Sequence, residues 1–204
     1  QLVAPSNWIK EKALNSFDEF VPNVITIPNA IPNIFFEEYS KSRARKKLNL
    51  PKDKILILFS SFGGEGDLRK GIKIVKQLLN SKQHQEADIE FITIGSFKNI
   101  QKFNKEKLTN LGRVDSNKKL RTVYKSVDMV LVPSLIDNLP QVATEAQACG
   151  RPVIGFDTGG MKDIIIDNET GYLSINQDLK SIQNNIKRLM RNQLHSDLRA
   201  HQIT

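Results

Sequence analysis

Residues Met129–Asp157 read MVLVPSLIDNLPQVATEAQACGRPVIGFD, a complete strand–turn–helix–strand unit. The run MVLVPS (Met129–Ser134) is apolar until its last two residues, as expected of a strand buried on both faces. From Leu139 to Cys149 small and apolar residues recur at helical spacing, and Pro140 falls in the first turn, where its missing N–H costs no helical bond. PVIGFD (Pro152–Asp157) is a second buried strand. A strand, a helix and a strand so closely joined form a right-handed crossover between parallel strands.

The same alternation extends in both directions. Upstream, ILILFSS (Ile55–Ser61) and IEFITIG (Ile89–Gly95) read as strands, and LTNLGRV (Leu108–Val114) as a less apolar one. GIKIVKQLLNS carries a helical stripe of Ile72, Val75, Leu78 and Leu79, and KKLRTVYKSV is a further helix. Downstream, TGYLS is a short last strand, and DLKSIQNNIKRLMRN is a helix with Leu179, Ile182, Ile186 and Leu189 on one face. The expected fold is α/β, a Rossmann-like doubly wound parallel sheet of about six strands flanked by helices. In such a sheet ligands bind beyond the carboxyl ends of the strands. The turns that matter are therefore 60–71, 95–97, 112–115, 133–140 and 157–163. Residues 1–30 stand apart: PSNWIKEKAL is a helix capped at Ser6 or Asn7, and NVITIPNAIP is a short strand entering a turn.

Composition narrows the partners. The chain has 204 residues, 39% hydrophobic and 25% charged, within the range of ordinary globular domains. No apolar run is long enough to span a bilayer. The single cysteine, Cys149, rules out an internal disulfide and suits a small buried residue in a reducing compartment. A net charge of +8 favours anionic partners. The densest basic run, KSRARKK (Lys41–Lys47), lacks the interleaved aromatics that stack on bases, so no nucleic-acid partner is expected. It reads as the exposed face of a short helix, with peripheral contact to an anionic membrane as the alternative.

Two stretches carry candidate chemistry. In SSFGGEGDLRKG, Gly63 and Gly64 allow close backbone approach, and Lys70 offers a point charge to a phosphate. The spacing matches neither GxxxxGK[ST] nor GxGxxG, so a plain flexible loop reads as well. In DNLPQVATE, Asp137 and Glu145 bracket the start of a helix whose free amides, at Leu139, Gln141 and Val142, favour a diphosphate. Eight residues of helix put the two acids about 10 Å apart. That exceeds the roughly 5–5.5 Å of a retaining glycosidase pair. It suits one ligand with hydroxyls at both ends and phosphates between, as in a sugar nucleotide. By itself the pattern is better described as an acidic helix start followed by a solvent-facing Glu.

Taken together, PSLIDNLPQVATEAQACGRPVIGFDTGGMKDIIIDNETGYL resembles the C-terminal signature of retaining GT-B glycosyltransferases of the group 1 (GT4) type. PSNW, ITIPNAI, RKG (Arg69–Gly71), LGRV and VDMVLVPS match in order, so the resemblance covers nearly the whole chain. It implies one half of a two-domain fold. Residues 1–30 would be the tail of an N-terminal acceptor domain plus linker, and residues 31–204 the C-terminal domain that binds the nucleotide sugar. By the same resemblance Glu145 holds the ribose hydroxyls, and Asp137 is the catalytic-site acid that meets the transferred sugar. The amides of Asn138, Leu139, Pro140, Gln141 and Val142 (proline itself lacking one) surround the diphosphate with Lys70, Arg69 and the Gly63–Gly64 backbone. Arg113 and Val114 line the base, and Gly159 and Gly160 shape the pocket floor. Two departures stand out: relatives usually carry Glu where this chain has Asp137, and many carry a basic residue where it has Gly64.

The implied reaction is retaining glycosyl transfer from a nucleoside-diphosphate sugar to a glycan or lipid-linked acceptor, in cell-surface polysaccharide synthesis. The expected location is cytoplasmic, at most peripheral on the inner face of the plasma membrane. No cofactor and no metal are implied, and there is no D-x-D motif. His84, His195 and His201 fall outside the pocket turns and are expected at the surface. A chain without its acceptor domain is expected to turn over little or nothing. The alternatives are a non-catalytic sugar-nucleotide-binding module and a nucleotide-sugar epimerase of the same architecture.

Overall fold

The computed structural model describes residues 1–16, 23–61, 67–81, 88–95 and 107–192. The strands are β1 (Leu2–Ala4), β2 (Val24–Thr26), β3 (Ile55–Ser61), β4 (Ile89–Gly95), β5 (Leu108–Asn110), β6 (Met129–Val132), β7 (Val153–Phe156) and β8 (Gly171–Ser174). The helices are α1 (Asn7–Leu14), α2 (Lys41–Lys47), α3 (Ile72–Asn80), α4 (Asn117–Ser126), α5 (Gln141–Ala148) and α6 (Leu179–Asn192). Among these residues no helix is long and apolar enough to cross a membrane.

Six strands form one parallel sheet in the order β5-β4-β3-β6-β7-β8. Both of its faces are covered, which is why the central strands are mostly apolar. Leu56, Leu58, Ile92, Ile94 and Val130 point to one core, shared with Val123 and Tyr124 of α4 and Ala143 and Ala146 of α5. Their sequence neighbours Ile57, Phe59, Phe91, Met129 and Leu131 point to the other, against Val75 and Leu78 of α3 and Ile182 and Ile186 of α6. The chain leaves β3 toward β4 on one side, then returns to β6 on the other. The switch point thus lies between the carboxyl ends of β3 and β6, where the crossovers diverge and open a crevice.

Residues before the sheet form a small unit of their own. β1 and β2 pair in parallel, with α1 as their crossover. Ser6 caps α1, its Oγ accepting from the Ile9 amide at 3.2 Å. The same hydroxyl donates to Asn138 Oδ1 at 2.6 Å, and the Asn7 amide donates to Asp163 Oδ2 at 2.7 Å. Hydrogen bonds from the start of α1 therefore tie this unit to the turns that follow β6 and β7.

The helix in KSRARKK is present, but its exposed face is incomplete. Lys46 and Lys47 face solvent, whereas Arg45 is only 5% exposed. Its guanidinium meets Asp128 Oδ2 at 2.6 Å and donates to the carbonyls of Ser126 and Lys52 at 2.9 and 2.7 Å. A buried arginine persists because its fork of donors is satisfied.

Candidate functional site

The crevice at the switch point is a cavity of about 480 Å³. Ser60 from the end of β3 and Val132–Ser134 from the end of β6 line it, with Leu120 and Tyr124 of α4, and Gln141, Val142 and Glu145 of α5. Asn29, Lys70, Leu131, Asp137, Leu139 and Pro140 complete the wall.

The turn after β6 is held from behind. Leu135 N–H donates to the Arg69 carbonyl at 2.6 Å, Thr158 Oγ1 to the Leu135 carbonyl at 3.0 Å, and Gly160 N–H to the Asp137 carbonyl at 3.1 Å. Glycines make these contacts possible. A Cβ on Gly71, whose φ is +67°, would fall 1.8 Å from the Pro133 carbonyl oxygen. On Gly159 and Gly160 it would fall 2.0 Å and 1.7 Å from the carbonyl oxygens of Asp137 and Asn138. Gly71 and the Gly159–Gly160 pair are thus spacers that let three turns pack backbone to backbone. Gly159 and Gly160 stand behind the Asp137 turn and do not line the cavity.

α5 begins at Gln141, two residues later than its pattern indicates, because Pro140 takes the capping position with extended backbone and no side-chain hydrogen bond. The Leu139 side chain is buried in the core beneath. Gln141 and Val142 supply the first-turn amides, which have no helical acceptor and carry the positive end of the helix dipole. Asn138 turns its side chain to Ser6, away from the cavity.

The two acids lie on the same cavity wall and differ in their partners. Asp137 Oδ2 accepts from Lys70 Nζ at 2.6 Å and from Ser134 Oγ at 3.4 Å. This couples the expected phosphate cation to the expected sugar-binding acid. Glu145 Oε2 accepts from the Tyr124 hydroxyl at 2.8 Å. Burial raises the Glu145 carboxyl above its usual range, partly offset by that hydrogen bond. Burial first, then the neighbouring Glu145 charge, pushes the Tyr124 phenol well above its usual value, so it remains a donor.

Other expected site residues lie elsewhere. The Arg69 guanidinium is 71% exposed and engages Asp67 at 2.9 Å; only its backbone serves the site. Arg113 is exposed, and Val114 packs partly against the core; neither lines the cavity. Gly63, Gly64, His84, His195 and His201 lie outside the described residues. Tyr124, Ser134, Ser60 and Asn29 were not singled out by their sequence context. Tyr124 shares a helical stripe with Leu120, and nothing local distinguishes it from a core aromatic.

Comparison with known proteins matches this arrangement to a family. The family profile described as glycosyl transferases group 1 covers residues 40–204. D-inositol 3-phosphate glycosyltransferase of Xylanimonas cellulosilytica is 28% identical over 164 residues, covering 75% of this chain and 38% of that protein. Lipopolysaccharide 1,2-N-acetylglucosaminetransferase of Salmonella typhimurium is 24% identical, covering 100% of this chain and 55% of its own length. Sucrose-phosphate synthase from Thermosynechococcus elongatus superposes with a TM-score of 0.80 at 26% identity, over 98% of this chain and 51% of the other. Anabaena HepE, solved with UDP, shares the fold at a TM-score of 0.77 and 17% identity, over 97% and 56%. The chain thus spans between 38% and 56% of the length of these relatives. With the profile running from α2 to the C-terminus and the Asp137–Glu145 turn and helix set at the switch point of the sheet, the chain belongs to the group 1 glycosyl transferases.

Proposed function

We propose that this chain is the donor-binding half of a retaining glycosyltransferase and holds a nucleoside-diphosphate sugar between β3 and β6. One observation carries the reading: Asp137 and Glu145 line a single cavity together with Lys70 and the uncapped first turn of α5. Glu145 accepts hydrogen bonds from the ribose hydroxyls. The Gln141 and Val142 amides and Lys70 meet the diphosphate, and Asp137 meets the transferred sugar. The base extends toward the turn at Arg113 and Val114. An ammonium group has three donors, so Lys70 serves a phosphate oxygen while still touching Asp137.

In the transfer step the bond between the anomeric carbon and the diphosphate oxygen breaks. The electron pair leaves with the nucleoside diphosphate, the acceptor oxygen bonds to the anomeric carbon on the same face, and its proton passes to the departing diphosphate oxygen. Lys70 and the α5 dipole stabilise the charge developing on the leaving oxygen, which makes the step independent of a metal. An N-terminal domain brings the acceptor, so the isolated donor half transfers nothing. Anabaena HepE was solved with UDP and with UDP-glucose, which supports this donor class. The Salmonella typhimurium relative acts on lipopolysaccharide by its name, which supports a cell-surface glycan as product. The exposed Arg43, Lys46 and Lys47 of α2 offer an anionic membrane a peripheral contact.

Ligand-observed NMR tests the reading, since it registers weak affinities. UDP-, GDP- and ADP-sugars are titrated onto the chain. Saturable binding of at least one is expected, and no binding of any would overturn the proposal.

A further inference from the structure

Tyr124 has no place in the function proposed above, yet it is the largest fully buried side chain described and also lines the cavity. Its ring is fixed from behind by an edge contact with Phe35, centroids 6.0 Å apart. Its hydroxyl crosses from α4 to α5 and donates to Glu145 Oε2 at 2.8 Å. Among the described residues no second donor reaches the Glu145 carboxylate, so Oε1 remains for a ligand.

We propose that Tyr124 is a positioning residue for nucleotide binding: it anchors one oxygen of Glu145 and so presents the other to a ribose diol. The inference rests on the donor-site reading and adds a residue to it. A phenol suits the task better than a cation. It supplies one directed hydrogen bond without neutralising the carboxylate, leaving the negative charge available to ribose hydroxyls. Few other groups compete for Glu145. The titratable neighbour along α5 is Cys149, whose thiol burial pushes up to about 12, so it stays neutral. Lys125, Arg151 and Arg121 bear on Cys149, and Lys70 and Asp137 stand elsewhere on the cavity wall. A freely rotating carboxylate would lose rotamer entropy on meeting the ribose; one already tethered does not.

The test compares wild type, Tyr124→Phe, Glu145→Gln and the double variant. Affinities for UDP, GDP and ADP and for their 2′-deoxy counterparts are measured from neutral to acid pH. Tyr124→Phe keeps the ring and should weaken binding of the ribonucleotide about tenfold, the worth of one hydrogen bond to a charged group. The loss should shrink for the 2′-deoxy ligand and vanish in the Glu145→Gln background. Without the phenol the Glu145 carboxyl holds its proton more tightly, so affinity should start to fall at a higher pH than in wild type. A merely structural tyrosine would lower the melting temperature and leave affinity, diol preference and pH profile unchanged; that result overturns the inference alone. Failure of wild type to bind any of the three nucleotides overturns both the donor-site reading and the inference. If Tyr124→Phe does not fold, wild type carrying 3-fluorotyrosine serves instead. Its more acidic phenol donates more strongly and should move the acid limb to lower pH, and an unmoved limb overturns the inference. Tyr39 and Tyr172, which would also be fluorinated, do not line the cavity.

Discussion

Asp128 and Asp137 flank the same strand, one before β6 and one beyond it, and their surroundings differ in kind. Asp128 is 6% exposed, and its oxygens accept from Arg45 at 2.6 Å, Lys41 at 2.7 Å and the Leu56 amide at 2.7 Å. Nearby, Glu90 is served in the same way by Lys54 at 3.1 Å and the Thr109 hydroxyl at 2.6 Å. Each of these acids is enclosed by donors from several elements and neither lines the cavity. At the carboxyl ends of the strands Asp137 pairs with a half-exposed lysine, and Glu145 has one phenol. Both face open space above an uncapped helix. The contrast separates two uses of a carboxylate: buried at Asp128 and Glu90, partly exposed at Asp137 and Glu145. Full satisfaction locks strands and helices together, whereas partial satisfaction beside a cavity leaves acceptor capacity for a ligand.

The contrast predicts effects of decreasing size. Asp128→Ala leaves Arg45 buried without its charge partner and should cost about 3–5 kcal/mol, read by urea unfolding. Whatever folds should keep its nucleotide affinity. A loss of affinity beyond the unfolded fraction would break the division between the two ends of the strands. Gly160→Ala forces a Cβ into the Asn138 carbonyl and should cost about 1–3 kcal/mol while displacing the Asp137 turn. Its binding defect should exceed what its stability loss accounts for. Glu145→Gln should instead gain stability at neutral pH while losing affinity.

The sign for Glu145→Gln follows from the raised carboxyl. The folded state holds the Glu145 proton more tightly than the unfolded state, whose value is near the usual 4.5. Stability is therefore lost as pH rises from there through the folded value, and above it the buried charge is a standing cost. Removing the charge should raise the melting temperature at neutral pH, with no gain once the unfolded carboxyl is also protonated. Nucleotide binding should weaken at the same time. A fall in melting temperature would mean that Glu145 is as fully satisfied as Asp128.

Much of this was legible in the residues, and the missing parts share a cause. The central strands of the main sheet announce themselves through apolar runs such as ILILFSS and IEFITIG, because burial on both faces demands them, whereas the edge strand LTN is only partly apolar. The turn and helix of DNLPQVATE were visible because proline and the acids are local signals. What could not be read were pairings across long separations. Lys70 and Asp137 were both recognisable as site residues, yet their ion pair joins positions 67 apart. Arg45 looked like one of several surface charges because its partner Asp128 lies 83 positions away. Tyr124 carries no local mark of its role because its acceptor sits on the next helix. Gly159 and Gly160, expected at the pocket floor, instead meet the backbone carbonyls of Asp137 and Asn138, residues more than twenty positions earlier in the chain.

The division of labour between the two acids is tested most directly by a pair of affinities. Free nucleoside diphosphate and its sugar conjugate are each titrated, by calorimetry or NMR, onto wild type, Glu145→Ala and Asp137→Ala. Glu145→Ala should weaken both ligands by about tenfold or more, because it removes charge-assisted hydrogen bonds to a ribose that both contain. Asp137→Ala should weaken the conjugate and leave the free nucleotide nearly unchanged, since only the conjugate carries the sugar. Equal losses for both ligands in Asp137→Ala would contradict the account.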